Sequence, residues 1–312
     1  MHKLERKNGQ KRQRALRLLG KYWPYYLMML PGLIYFALLK YAPMYGVLIA
    51  FKDFKIKKGI WGSPWVGLQN FRTFFTSTYC SRLIGNTLII SFTKLVLSSF
   101  MSVFFALLLN ECGKRRFKRL VQTVSYMPHF VSTVVLVSMI NNICSPSIGV
   151  LAKIWKSMGL TPVNWLAVPD YFYGINIVSG LWQCIGWNAV IYISAIAGID
   201  QSLYEAARMD GANRWKQILH VTIPGILPTF ILLLIMQIGQ LMNCVFDKIW
   251  LLQNTLNMQV SEMLPTYVYR LGMVSQKYGQ ATAGGLLNSV ISVTLVLIAN
   301  FVSRKVSETS LF

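Results

Sequence analysis

Residues 84–109 decide how this chain folds, and they read IGNTLIISFTKLVLSSFMSVFFALLL. A helix that crosses a bilayer needs about 20 mostly apolar residues, and this longer run contains a single charged side chain, Lys94. A lysine near the middle of a spanning helix costs about 2.5–3.5 kcal/mol on insertion scales. We therefore expect Lys94 to have a compensating partner: the carboxylate of a bound molecule, an acidic side chain of a partner protein, or helix carbonyls of this chain.

Five further stretches share this length and apolar character. None shows a sustained heptad repeat or the alternation of a barrel strand, and a bilayer core admits only helices or closed barrels. The third stretch is the weakest candidate, because the sequence SPSIG follows it closely. The sequence predicts an all-α integral membrane protein with about six transmembrane helices. The expected spans are 27–49, 84–109, 121–143, 174–198, 225–246 and 283–303.

The composition supports lipid as the surrounding medium. Of the 312 residues, 54% are hydrophobic and 13% are charged, whereas a soluble domain usually carries about 25% charged residues. The net charge of +21 would suggest nucleic acid in a soluble protein, but membrane proteins concentrate Lys and Arg in cytoplasmic loops. We expect membrane lipid and no nucleic acid as a partner. The cysteines and histidines are scattered, without a CxxC or HExxH pattern, so no metal site is predicted.

The distribution of positive charge predicts the orientation. With the amino terminus inside, the inner segments hold 18 Lys and Arg and the outer segments hold 11, which predicts that both termini lie in the cytoplasm. No cleavage site follows the first apolar run, so it is expected to remain as a helix. We divide the chain into a basic cytoplasmic segment 1–26, a transmembrane domain 27–303 and a cytoplasmic tail 304–312. The basic outer face would attract an acidic solute or partner, or pack against lipid head groups.

One inner segment, residues 200–224, carries a pattern that lipid contact does not require. Its first part, Glu205–Asp210, is good helix-forming sequence, and Gly211 allows a sharp turn after it. A second amphipathic turn covers residues 215–219, and Pro224 marks the entry into the next span. These features predict a short pair of helices lying across the cytoplasmic membrane face and shaped to dock into a partner.

This segment resembles the EAA loop of ABC importer permeases. WGSPWVGLQNF (61–71) and FDKIWLLQN (246–254) are similar to the branch of sugar permeases that handles complex and often acidic oligosaccharides. The resemblance implies the transmembrane fold of a type I importer and a sugar-importing permease whose loop couples to ATPase subunits. The loop residues to which it assigns this coupling are Glu205, Ala206, Ala207, Asp210, Gly211, Ala212 and Trp215.

The resemblance also implies partners. A permease of this family pairs with a second, homologous permease as a heterodimer, sits on two ATPase subunits and receives solute from an extracytoplasmic binding protein. The chain itself has no GxxxxGK[ST] motif. We therefore expect no enzymatic activity and no cofactor in this chain, with ATP and Mg bound by the partner ATPase subunits.

Polar side chains inside spans usually face a bundle interior or a water-filled cavity. A polar stripe in the fifth predicted span would hydrogen-bond sugar hydroxyls or join helices across the subunit interface. Two indoles in the fourth span would stack on sugar rings or anchor at the membrane interface, and since they are five residues apart, one at most faces the pathway. The candidate pathway residues are Lys94, Trp182, Trp187, Gln237, Gln240 and Asn243.

Two competing functions stay open at this point. One is an ABC importer permease for another solute, such as an amino acid or a phosphate-bearing compound. The other is a self-contained channel or secondary carrier, which would use charge pairs within the membrane for ion coupling. Lys94 has no evident carboxylate partner in another predicted span, which argues against the carrier. An oligosaccharide importer is the leading hypothesis, with acidic oligosaccharides among the candidate solutes.

The orientation can be tested by labelling. In a variant without the five native cysteines, a cysteine at Gly59 or Gly159 should react with an impermeant thiol reagent from outside, because both positions fall in predicted outer segments. A cysteine at Gly113 should react only after the membrane is permeabilised. Labelling of Gly113 from outside would overturn the orientation.

Overall fold

The computed structural model describes residues 20–242 and 245–306, and all regular structure in these ranges is helical. One isolated antiparallel bridge joins Lys52 to Trp65, and no strand forms in the part of the chain that is described. The all-α prediction is confirmed.

We number the helices of six or more residues in chain order. Shorter turns cover Ile56–Lys58, Gly59–Gly62, Met127–Phe130 and Met258–Ser261, and a π-helical segment Arg270–Val274 follows α11. The numbered helices are α1 Gly20–Phe51, α2 Gln69–Phe75, α3 Tyr79–Glu111, α4 Arg115–Tyr126, α5 Thr133–Cys144, α6 Val150–Ser157, α7 Pro169–Ala197, α8 Gln201–Met209, α9 Arg214–Gly239, α10 Phe246–Leu252, α11 Leu264–Tyr269 and α12 Tyr278–Val306.

Five of these helices, α1, α3, α7, α9 and α12, are long and apolar enough to cross a membrane. A sixth span is possible if α4 and α5 are taken together, although they are bent by 97°. The two ends of the transmembrane domain, predicted at residues 27 and 303, each extend by several residues in the structure. Residues 20–26 already belong to α1, and α12 continues through residues 304–306, whereas segments 1–19 and 307–312 lie outside the described residues.

The third predicted span, 121–143, is not one continuous helix in the structure. The chain turns sharply between α4 and α5 because Pro128 sits in the 3₁₀ turn that follows α4, where its missing N–H interrupts the helical hydrogen bonds. Ser132 then starts α5, since its side chain accepts a hydrogen bond from the Val135 N–H at 3.4 Å. A capping serine favours a new helix start, so the apolar run becomes two helices.

The fifth span is displaced from the predicted window 225–246. Its helix ends at Gly239, with Gln240 as the capping residue, so the polar side chains predicted to follow one continuous helical face do not share one helix. At the other end, α9 starts at Arg214 and runs without a break through a π-helical segment, Ile218–Thr222. The predicted second short helix across the membrane face is therefore wrong, because that turn is the beginning of the span itself.

Pro224 explains the π-helical segment. Proline has no N–H to donate and is tolerated best in the first turn of an α-helix. The π segment ends directly before the α-helical part of α9, which begins at Ile223. Pro224 thus falls in a first turn, and the wider π turn absorbs the irregularity.

Helices α3 and α7 form the central pair of the fold. Their contact buries small side chains, among them Ser102 and Ala106 of α3 and Ala189 of α7. Small residues let helix backbones approach closely within a membrane. Tyr192 and Ile196 continue the same buried cluster toward α9, so the pair also provides the surface on which α9 packs.

A buried carboxylate fixes the segment before α11 to α3. Glu262 is 2% exposed and pairs with Arg270 and, at 3.7 Å, with Arg82 of α3. Asn86 of α3 donates to the main-chain oxygens of Gln259 and Glu262 at 3.0 and 3.1 Å. A buried carboxylate is costly unless it is paired and hydrogen-bonded, and here both conditions hold.

The first helix is the exception to this packing. Only 6% of its most apolar window is buried within the chain, and its contacts come mainly from Ala42–Phe51 against α12. Its apolar side chains, for example Leu33 and Phe36, are exposed in the isolated chain. In a membrane such a surface faces lipid or another subunit.

Gly186 offers a test of the contact between α7 and α4. A Cβ at this position would overlap the main-chain carbonyl of Ser125 on α4. Because backbone cannot yield without moving the helix, Gly186→Ala should destabilise the protein by about 1–3 kcal/mol, measured as a lower melting temperature in detergent.

Gly174→Ala is the matched control on the same helix. No described atom lies within 4 Å of a Cβ there, and alanine is the better helix former. This variant should melt at or above the wild-type temperature. Equal melting of the two variants would contradict the close α4–α7 contact.

Candidate functional site

The inner loop is built from two capped helix starts and one glycine turn. Asp200 caps α8, since its Oδ1 accepts a hydrogen bond from the Ser202 N–H at 2.9 Å. This hydrogen bond and a second one from the Ser202 side chain hold the pKa of Asp200 below its usual value. After α8, Gly211 adopts a φ of +75°, a conformation that suits glycine and ends helices. Asn213 then caps α9 by accepting from the Lys216 N–H at 2.9 Å.

The loop exposes apolar side chains on a polar surface. Trp215 is 78% exposed, Met209 is 88% exposed, and Leu203 and Leu219 are also exposed. Exposed apolar side chains of this kind mark a surface that contacts membrane lipid or another protein. The structure brings the sequence-predicted loop residues together around the glycine turn. Glu205, Ala206, Asp210, Gly211 and Trp215 are exposed, and Ala207 and Ala212 are half-buried.

Three side-chain contacts tie this loop to the transmembrane helices. The hydroxyl of Tyr204 on α8 lies 3.0 Å from that of Thr222 in the π segment of α9. The side-chain amide of Gln217 donates to the Ala212 carbonyl at 2.9 Å. Arg214 lies 4.0 Å from Glu111 at the end of α3. These contacts join α8 and the loop to the base of α9 and to the end of α3.

A cavity of about 400 Å³ lies between α3, α7 and the far end of α9. Its surface is mostly apolar with a few polar side chains, and two contacts orient some of these: Asn188 donates to Ser98 at 3.2 Å, and Ser99 donates to Gln237 at 3.4 Å. A mostly apolar pocket with a few polar groups is typical of a small-molecule site. The lining residues are Ser91, Lys94, Leu95, Ser98, Cys184, Asn188, Ile191, Tyr192, Leu233, Met236, Gln237, Gln240 and Leu241.

The structure brings three of the six predicted pathway residues together. Lys94, Gln237 and Gln240 line this cavity. The two indoles do not: Trp187 stacks on His129, with 4.6 Å between ring centroids, and Trp182 is 47% exposed outside the lining. The sixth candidate, Asn243, lies outside the described residues.

Lys248 is a functional candidate that the sequence did not indicate, because it falls among the Lys and Arg residues of the predicted outer segments. The structure places it on α10, 7% exposed, with its ammonium donating to the main-chain oxygen of Asn176 on α7 at 2.6 Å. In the structure Lys248 shares a buried face with Leu252, one helical turn later, but no local pattern in the sequence predicts that the lysine points inward.

Comparison with known proteins agrees with this architecture. The family model described as "Binding-protein-dependent transport system inner membrane component" matches residues 95–308. Protein LplB of Bacillus subtilis is 39% identical over 92% of this chain and 90% of its own length. The polygalacturonan/rhamnogalacturonan transport system permease protein YteP of the same organism is 38% identical over 97% of this chain and 94% of its own length.

A solved structure shares the whole fold. The chain matches one in the crystal structure of a bacterial alginate ABC transporter in complex with an alginate pentasaccharide-bound periplasmic protein. The TM-score is 0.88 at 34% identity, over 95% of this chain and 99% of that one. Taken with the apolar helices and the matched family model, this likeness shows that the chain belongs to the binding-protein-dependent transport system inner membrane components, the multi-pass permease subunits of ABC importers.

Proposed function

We propose that this permease carries oligosaccharides across the bacterial cytoplasmic membrane, with both termini in the cytoplasm. The names of its relatives support a saccharide solute, since one is a permease for polygalacturonan and rhamnogalacturonan and another belongs to an alginate transporter. The amide-bearing side chains of the cavity support it further, because amides both donate to and accept from hydroxyl groups.

The permease works within a larger complex. It pairs with a second, homologous permease, docks on two ATPase subunits that bind ATP and Mg, and receives solute from an extracytoplasmic binding protein. The similar alginate transporter, crystallised with a saccharide-bound periplasmic protein, supports the last of these partners. The exposed apolar side chains of the loop between α7 and α9 support the docking on ATPase subunits.

The observation that carries the coupling mechanism is the continuity of α9. The helix begins in the loop at Arg214 and ends at Gly239, beside the cavity. At about 1.5 Å per residue, its 26 residues span about 39 Å. Closure of the ATPase subunits moves α8 and, through the Tyr204–Thr222 contact, the base of α9. The same helix carries Leu233, Met236 and Gln237 in the cavity wall, so one element joins nucleotide-driven motion to the solute.

The glycine turn tests this coupling. Gly211→Val should abolish solute-stimulated ATP hydrolysis by the complete transporter, because a β-branched residue at a φ of +75° costs about 1–3 kcal/mol of backbone strain and distorts the loop. Glu205→Lys should act in the same direction by reversing a charge on the exposed docking surface. Both variants should still insert into the membrane.

Gly211→Asn is the matched control, since asparagine tolerates the left-handed region and no described atom crowds the position. It should retain most of the stimulated hydrolysis. Normal coupling in Gly211→Val would contradict the role of the turn.

The cavity lining gives a second test. Gln237→Leu should lower oligosaccharide uptake by proteoliposomes by about fivefold or more, because one lost hydrogen bond to a bound solute is worth about 1 kcal/mol. Basal ATP hydrolysis and assembly with the partner subunits should be unchanged.

Met236→Leu, an apolar exchange in the same wall, serves as the control and should transport normally. If Gln237→Leu also transports normally, this cavity does not hold the solute.

A further inference from the structure

Two lysine side chains from different helices meet beside one glycine. A Cβ on Gly180 of α7 would lie 3.4 Å from Lys248 Nζ and 3.9 Å from Lys94 Cε. Lys94 comes from α3 and Lys248 from α10. Because glycine has no side chain, the space between the two lysines stays open.

The Lys248 ammonium is held in this space with little compensation. An ammonium has three N–H donors, and in the described part of the chain Lys248 has one hydrogen-bond acceptor, the Asn176 carbonyl. None of the ion pairs between described residues includes Lys248. Burying a charge without an opposite charge is costly, so the arrangement is electrostatically incomplete.

Gly180 also explains how the ammonium reaches that carbonyl. Asn176 lies one helical turn before Gly180, and a side chain one turn later normally covers a helix carbonyl. With no Cβ at Gly180, the Asn176 oxygen is open from the side on which Lys248 approaches. The helix therefore presents an opening for a cation where another residue would close it.

The second lysine increases the charge of the site. Two ammonium groups near each other repel more strongly in a low-dielectric interior than in water. A bound anion would reverse this repulsion and accept charge-assisted hydrogen bonds, which are stronger than neutral ones. The site is therefore suited to an anion that arrives and leaves, and lysine, a compact charge on a flexible stem, can follow it.

The position of Lys94 identifies the kind of anion. Lys94 lines the cavity, whose amide groups come from Asn188, Gln237 and Gln240, whereas Lys248 lies outside this lining, beside Gly180. A ligand that satisfies both parts carries hydroxyl groups for the amides and an anionic group for the lysines. A sugar ring with a carboxylate has this combination.

We propose that Lys94 and Lys248 form a carboxylate site that selects uronate-containing oligosaccharides as they pass through the cavity. The proposal rests on the proposed function of oligosaccharide import. It adds a specificity-determining pair, in which Lys94 meets the solute from the cavity wall and Lys248 supports the same carboxylate from behind Gly180.

The test compares an acidic and a neutral form of one saccharide. The complete transporter with its binding protein is reconstituted in proteoliposomes, and ATP-dependent uptake of trigalacturonate and of its fully methyl-esterified form is measured. The ester keeps the sugar skeleton and loses the charge. Lys248→Met should reduce the ratio of acid to ester uptake by at least about tenfold, because loss of one partner of a buried charge pair is expensive. Lys94→Met should reduce it similarly.

Lys153→Met, at an exposed lysine of α6, is the control and should leave the ratio unchanged. An unchanged ratio in Lys248→Met and Lys94→Met, or an equal loss of both uptakes, would show that the lysines only stabilise the fold and would overturn the proposal. Uptake of the ester but not of the acid by the wild type would overturn it as well. Uptake of neither by the wild type would also overturn the proposal, and the proposed function would then be decided separately by whether the wild type takes up a neutral oligosaccharide.

A second variant covers the case in which Lys248→Met does not assemble. Gly180→Ala keeps both lysines, and its Cβ stands at ordinary van der Waals distances from them, so the protein should fold. The added methyl group occupies the space between the lysines, and the acid-to-ester ratio should fall. A ratio equal to that of the wild type would contradict the site.

Discussion

The close approach of α3 and α7 is the constraint on which the other features of this permease depend. Within a bilayer, apolar side chains gain little by leaving lipid, so helices associate through packing and hydrogen bonds. Here Ser102, Ala106 and Ala189 are buried at the contact. The same two helices supply most of the cavity wall, carry Lys94 and the Asn176 carbonyl, and form the surface against which α9 lies. Any change in their separation would move all of these features together.

Buried charge follows two different patterns in the structure. Glu262 lies between two arginines, an arrangement that is complete within the chain and fixes the segment before α11. Lys248 has a carbonyl as its acceptor and a second lysine nearby. The first pattern suits a permanent structural contact, since removing one partner of a buried pair costs about 3–5 kcal/mol. The second suits a site that an outside group completes.

The sequence was sufficient for the helical class, for four of the spans in outline and for the first helix and glycine turn of the loop, because these depend on long apolar runs and local helix signals. The prediction from the sequence failed where a helix-breaking residue interrupts an apolar run. The apolar run around Pro128 and Ser132 predicted one span, but the proline and the capping serine divide it. In the fifth window, hydrophobicity alone could not indicate that the helix stops at Gly239. The burial of Lys248 depends on its distant partner in α7, which no local pattern specifies.

The length of α9 has a mechanical consequence. If α9, which is about 39 Å long, tilts as one body about its cytoplasmic end, its far end moves most. A tilt of about 5° would shift that end by roughly 3 Å, and a hydrogen bond lengthened by this amount is broken. Gln237 lies at the far end of the helix, beside the cavity. A small rotation at the loop would therefore shift this side chain by more than a hydrogen bond can stretch.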